Sequence, residues 1–119
     1  MMETATTQEV LDRVNDGPDY NVDDRSRHIN QVEKWGKNCH LPGSYQGALH
    51  AFLTYPSENK FAETIRSIIL AGGCNCSRAN YAAALIGAEL GVSCLPLNWI
   101  SKVNQLEKIL NSIIKATEI

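Results

Sequence analysis

Four residues in the stretch Gly72-Gly73-Cys74-Asn75-Cys76-Ser77-Arg78-Ala79 carry reactive or ligating groups: two thiols one residue apart, a hydroxyl and a guanidinium. Cys39-His40 adds a third thiol and an imidazole. Three thiols and an imidazole suffice for a tetrahedral zinc site, but C-x-C is a weak signal and these separations match no familiar zinc module. The alternative is that Cys39 and Cys94 are small core residues and Cys74 and Cys76 are ordinary loop thiols. A helix N-terminus also lowers a cysteine pKa, which would make Cys74 and Cys76 redox-active, although the sequence names no resolving partner or base. Arg78 either grips a phosphate or pairs with a carboxylate on the surface. His28 and His50 read as solvent or helix-face residues with no visible partner, and Trp35, Tyr81 and Trp99 as core aromatics.

The elements that must hold these groups follow from the flanking residues. An apolar run over 65–71 precedes the stretch, and a run rich in alanine and glycine over 81–91 follows it. The glycine pair ends the first helix, because glycine alone adopts positive φ without strain. Ser77 is the expected N-cap of the next helix, whose positive end faces the loop. Helix, polar loop and helix N-terminus together make a place to hold an anion or a metal.

Residues 1–6 are polar and expected to fray. Val10, Leu11 and Val14 share a helix face, with Thr7 as a cap and Asn15-Asp16-Gly17-Pro18 as a stop; 19–24 reads as a loop. A second helix is expected over 24–37, with Ile29, Val32 and Trp35 inward. An irregular segment follows, after which Ser44 caps a third helix with Ala48, Leu49, Phe52 and Leu53 buried, closed by Tyr55-Pro56. Ser57 and Glu58 start a fourth, with Phe61, Ile65, Ile68 and Ile69 on its apolar side. The fifth, over 77–91, is expected to be the most buried. Its alanines and glycines admit close neighbours, and Gly87 and Gly91 suggest a close helix crossing. A short turn near Trp99 and a last helix with Leu106, Ile109, Leu110 and Ile113 complete an all-α reading of five to seven helices. No run alternates long enough to propose a strand.

At 119 residues the chain is one domain, and 44% hydrophobic content is ordinary for a soluble one. A net charge of −2 argues against nonspecific nucleic-acid binding. No apolar run approaches the length of a membrane helix, and the start lacks the features of a signal peptide. Four cysteines in such a chain read as reduced thiols in the cytoplasm.

The Gly72–Ala79 stretch, together with Leu85-Ile86-Gly87-Ala88-Glu89-Leu90-Gly91, resembles the ADP-ribosylglycohydrolase family. The likeness covers roughly residues 29–110 and extends to Pro42-Gly43-Ser44-Tyr45-Gln46-Gly47-Ala48-Leu49 and to Leu95-Pro96 with Trp99. The usual family motif is Gly-Gly-Asp-Thr-Asp-Thr. A crystallin J1-like branch carries Gly-Gly-Asp-Asn-Cys-Ser-Arg, and this chain matches that branch better.

The resemblance implies an all-α orthogonal bundle, of which residues 1–119 would form a single partial domain corresponding to the C-terminal part. It implies Mg²⁺ at the bundle centre and hydrolysis of the glycosidic bond between ADP-ribose and a protein side chain. The family's metal ligands map onto Cys74, Cys76 and Ser77, the remaining ligands belonging to the family's N-terminal half. Tyr45 and His40, in the segment similar to the family's nucleotide-facing one, would stack on adenine or ribose, or simply pack; Arg78 would meet phosphate.

Thiolate is a poor ligand for a hard cation, which leaves only Ser77 with a suitable oxygen. The expectation is therefore a fragment or degenerate member of the family, inactive alone and without its own Mg²⁺. The alternative is a crystallin J1-like structural or partner-binding protein. In either case self-association, or pairing with a separate N-terminal half, would cover apolar surface. An ADP-ribose-type ligand remains in scope, and nucleic acid and membrane do not.

Overall fold

The computed structural model describes residues 2–15, 23–56 and 58–118, and no strand occurs among them. The helices are α1 (Met2–Asn15), α2 (Asp24–Trp35), α3 (Gly43–Thr54), α4 (Lys60–Ala71), α5 (Asn75–Leu90), α6 (Leu97–Ile100) and α7 (Leu106–Thr117). A 3-10 turn, Val92–Cys94, lies between α5 and α6. This all-α arrangement agrees with the fold class read from the sequence.

Helix α3 is the hub, and α1, α2, α4 and α5 all pack on it. Its small residues allow this: Ala48 and Ala51 are fully buried with Ile68 of α4 and Ala82 of α5, and Ala79 packs against them. Gly47 permits the closest approach. A Cβ there would sit 2.9 Å from Cδ of Arg78 and 3.5 Å from Cγ2 of Val32.

Residue types place the closest packing on α5, but in the structure it falls on α3 instead. Helix α5 buries Arg78, Ala82 and Ile86. A Cβ on Gly87 or Gly91 would meet nothing within 4 Å, so none of the described helices crosses there.

Several helix ends also differ from expectation. Helix α1 starts at Met2, so Thr7 lies inside it and bonds the Tyr45 hydroxyl at 2.8 Å instead of capping. The expected stop and the loop after it lie almost wholly outside the described residues. Asp23 caps α2 by accepting from the Ser26 amide at 2.7 Å, which holds its carboxyl below the usual range. Helix α3 follows Pro42 and begins at Gly43; the Ser44 hydroxyl instead donates to the Cys39 carbonyl at 3.3 Å. Helix α4 begins at Lys60 after Asn59 in the left-handed region. Ser57, its expected first residue, lies outside the described residues.

Helix α1 docks through buried Val10 and through the Glu9 carboxylate, which accepts from Trp35 Nε1 at 3.0 Å and Gln46 Nε2 at 3.2 Å. Helix α4 turns Lys60, Thr64, Ser67, Ile68 and Ala71 inward, while Ile69 and Leu70 are exposed. Its polar face is tolerable because it is largely paired. Lys60 Nζ bonds Glu89 at 2.9 Å and lies over the Phe52 ring, and Ser67 bonds the Tyr55 hydroxyl.

The aromatics sit farther out than expected. Tyr81 is exposed, and half-buried Trp99 rests edge-on against Phe61 under Arg66. On α7 the stripe Ile109, Leu110, Ile113 and Ile114 is exposed. No helix of the described residues is long and apolar enough to cross a membrane.

Candidate functional site

The loop between α4 and α5 is built by backbone geometry that glycine supplies. Gly72 and Gly73 have φ of 79° and 67°, and the Gly72 amide returns to the Ile69 carbonyl at 3.1 Å. A Cβ on Gly73 would collide with the Lys37 backbone, so the segment after α2 presses directly on this loop. The Cys74 amide donates to the Lys37 carbonyl at 2.7 Å. The Asn75 amide, oriented so that its nitrogen donates, bonds the carbonyls of Gly72 at 2.9 Å and Ile68 at 3.2 Å. Those carbonyls lie at the C-terminal end of α4, which otherwise leaves acceptors unpaired.

Helix α5 begins at Asn75 with Cys74 before it, not at the Ser77 cap that the residue types suggest. Ser77 is displaced into the first turn, and its hydroxyl lies 3.1 Å from Cys74 Sγ. Cys76 Sγ is 3.9 Å from Cys74 Sγ. Hydrogen bonding from the Ser77 hydroxyl, and then from its amide, holds the Cys74 thiol below its ordinary pKa; Cys76 and Cys39 contribute the same way. The structure therefore brings Cys74, Cys76 and Ser77 together. All four cysteines are free.

Arg78 lies behind the loop rather than on the surface. Its side chain is fully buried, its Nη1 donates to the Lys37 carbonyl at 3.0 Å and its Nη2 to the Gly72 carbonyl. Surface pairing with a carboxylate is thereby ruled out, because the guanidinium is buried, with both Nη atoms donating to main-chain carbonyls and Nε left without a partner. One arginine thus ties together the end of α4, the start of α5 and the segment after α2. Tyr45 is turned to Thr7 and, edge-on, to Tyr81. His40 is exposed, with its amide on the Asn38 side chain at 3.0 Å.

Mg²⁺ fits this donor set badly. It requires hard oxygen ligands in octahedral array, and the loop offers two thiols and one hydroxyl already engaged with a thiol. Among the described residues no group of three His, Cys, Asp or Glu side chains is placed to hold a metal ion.

Sequence reasoning missed a second polar cluster. His28 and His50 are buried, stacked with ring centroids 5.2 Å apart and Nδ1 atoms 3.0 Å apart. The Thr54 hydroxyl lies 3.3 Å from His50 Nδ1, and His28 Nε2 has no partner. Burial pushes His28 down to about 3 and His50 to about 4, with smaller contributions from His50 and Arg78 on the former and Arg27 on the latter. Both rings are therefore neutral at pH 7. The signal was positional: His28 precedes Val32 by one helical turn, and His50 lies between Gly47 and Ala51 on the small-residue face of α3.

The protein-family model for ADP-ribosylglycohydrolase matches residues 2–118. Crystallin J1A of Tripedalia cystophora is 40% identical over 78 residues, which is 66% of this chain and 23% of that protein. Crystallin J1B of the same organism is 30% identical over 83 residues, 70% of this chain and 25% of that protein. The chain thus spans about a quarter of the length of the curated relatives it matches. No solved structure matches it.

Proposed function

The chain belongs to the ADP-ribosylglycohydrolase family, and we propose that by itself it is a non-hydrolytic member in which the metal loop survives as a structural joint. One observation carries this reading. At the positions that correspond to family metal ligands, Cys74, Cys76 and Ser77 interact with one another, while Arg78 locks the loop through main-chain carbonyls. Family members are generally metal-dependent, with Mg²⁺ as the ion. This chain's loop would neither hold that ion nor activate water on it, because thiolate competes poorly for a hard cation. Arg78 then supports the loop rather than a ligand phosphate, and Tyr45 and His40 stay as packing and surface residues.

The partial domain would work in association, in the manner of a structural or partner-binding protein. The exposed stripe of α7 and the open face at Gly87 and Gly91 support pairing with a second copy, or with a separate chain supplying the family's N-terminal half. Free thiols favour the cytoplasm as the place where this occurs.

Calorimetric titration with ADP-ribose, with and without Mg²⁺, tests the proposal. No heat of binding is expected in either case, together with no release of ADP-ribose from a modified protein. Micromolar binding that requires Mg²⁺ would overturn it.

A further inference from the structure

The loop that suits Mg²⁺ badly carries two sulfurs set for an ion of the opposite character. We propose that Cys74 and Cys76 form a two-thiol site for monovalent copper, a soft cation at the place of a hard one. The inference rests on the reading that this loop holds no Mg²⁺.

The geometry is already close to what such an ion requires. Cys74 Sγ and Cys76 Sγ lie 3.9 Å apart, and both thiols are free. A trigonal or tetrahedral centre with metal–sulfur bonds of zinc-like length, about 2.3 Å, keeps two sulfurs about 3.8–4.0 Å apart. Both sulfurs also stand on fixed backbone. The Cys74 amide is held by the Lys37 carbonyl at 2.7 Å, and Cys76 belongs to the first turn of α5. Little ordering is left to be done when the ion arrives. Cys76 is exposed and Cys74 half-buried, which leaves a path from solvent.

The donor set chooses among the soft ions. Thiolate selects monovalent copper and zinc over Mg²⁺. Structural zinc takes four ligands, whereas among the described residues no group of three His, Cys, Asp or Glu side chains is placed to hold a metal. Monovalent copper has a filled d shell and is stable at low coordination number, so a pair of thiolates is enough. The Ser77 hydroxyl, 3.1 Å from Cys74 Sγ, steadies that sulfur by a hydrogen bond.

The charges balance at this position. Each thiol releases its proton to solvent as the ion binds, no electron is transferred, and the centre keeps a single negative charge. That charge lies at the start of α5, where the helix dipole favours it. The buried guanidinium of Arg78, bonded to the Lys37 carbonyl behind the loop, adds positive charge on the same side.

The test titrates the full chain, without oxygen and with ascorbate as reductant, into the coloured complex of monovalent copper with bicinchoninate. Loss of colour equivalent to one copper per chain is expected. Cys74→Ser and Cys76→Ser should each lose this capture, while Cys39→Ser and Cys94→Ser should keep it. Copper should also protect Cys74 and Cys76 from alkylation and leave exposed Cys39 as reactive as before, read by peptide mapping. No competition for copper, or capture that survives Cys76→Ser, would overturn the proposal. Loss of capture in Cys39→Ser, or one copper per two chains, would overturn the two-thiol site within a single chain. Circular dichroism on each variant shows that the outcome is read from folded protein. Calorimetric binding of Mg²⁺ by the copper-free chain would overturn the underlying reading instead, so the two failures are separable.

Discussion

His28 and His50 meet through their Nδ1 atoms at 3.0 Å, so at most one of them carries a proton on that nitrogen. Protonating the second would place two nitrogen-bound hydrogens against each other and a charge in the interior, among Arg27, Arg78 and the edge of Trp35. Both folded-state pKa values, about 3 and about 4, lie below the ordinary 6.5. Between those limits the unfolded chain binds more protons than the folded one, so stability is full above 6.5 and declines as pH falls. The slope is about 1.4 kcal/mol per pH unit per histidine, or about 2 kcal/mol for each between pH 6.5 and 5. Urea unfolding at pH 7 and pH 5 should show this loss, and His28→Leu should roughly halve it. A midpoint that does not move with pH would count against the paired, neutral rings.

Arg78 offers a second measurement. Arg78→Met keeps much of the apolar stem but leaves the Lys37 and Gly72 carbonyls without its donors. A loss of about 3 kcal/mol is expected, with faster amide exchange at Cys74. Arg78→Lys should rescue little, since a single ammonium cannot span both carbonyls as the planar fork does. Full stability in the lysine variant would show that charge alone, and not the two-way clamp, matters here.

Two glycines should respond in opposite directions. At Gly47 an added methyl would press on Cδ of Arg78, whose guanidinium is pinned and cannot swing away, so Gly47→Ala should destabilise by about 1–3 kcal/mol. At Gly87 nothing lies within 4 Å, and Gly87→Ala should stabilise by about 0.5–1 kcal/mol through helix propensity. Thermal unfolding of the two variants decides the matter. If Gly87→Ala proves harmful, then a partner occupies that face under the conditions of the experiment.

The helices were legible because their stops are chemical. Tyr55-Pro56, Gly72 and Gly91 end elements where the sequence indicates, while the second helix stops at Trp35, short of the expected 37, and Val32, Ala48 and Ile68 are buried as their spacing requires. The polar interior was not legible. His28, Gln31, Gln46, His50, Lys60, Thr64, Ser67 and Arg78 are all buried, and a reading that turns polar residues outward misplaces every one. Their burial depends mostly on partners from other helices, such as Glu9 for Gln46 or Glu89 for Lys60, which no local spacing reveals. The candidate loop is visible in its residue types, but its cap is misplaced because Asn75 and Cys74 take over the helix start.

The carbonyl of Lys37 accepts from Arg78 across 41 positions of sequence, with both α3 and α4 lying in between. Closing a segment of that length carries an entropic penalty before any bond forms, and the penalty is reduced once the intervening helices are packed and their ends are near each other. The head of α5 is therefore expected to acquire its shape late in assembly, after α3 and α4 have associated. In the order of events, the joint registers that the earlier helices have already found their places.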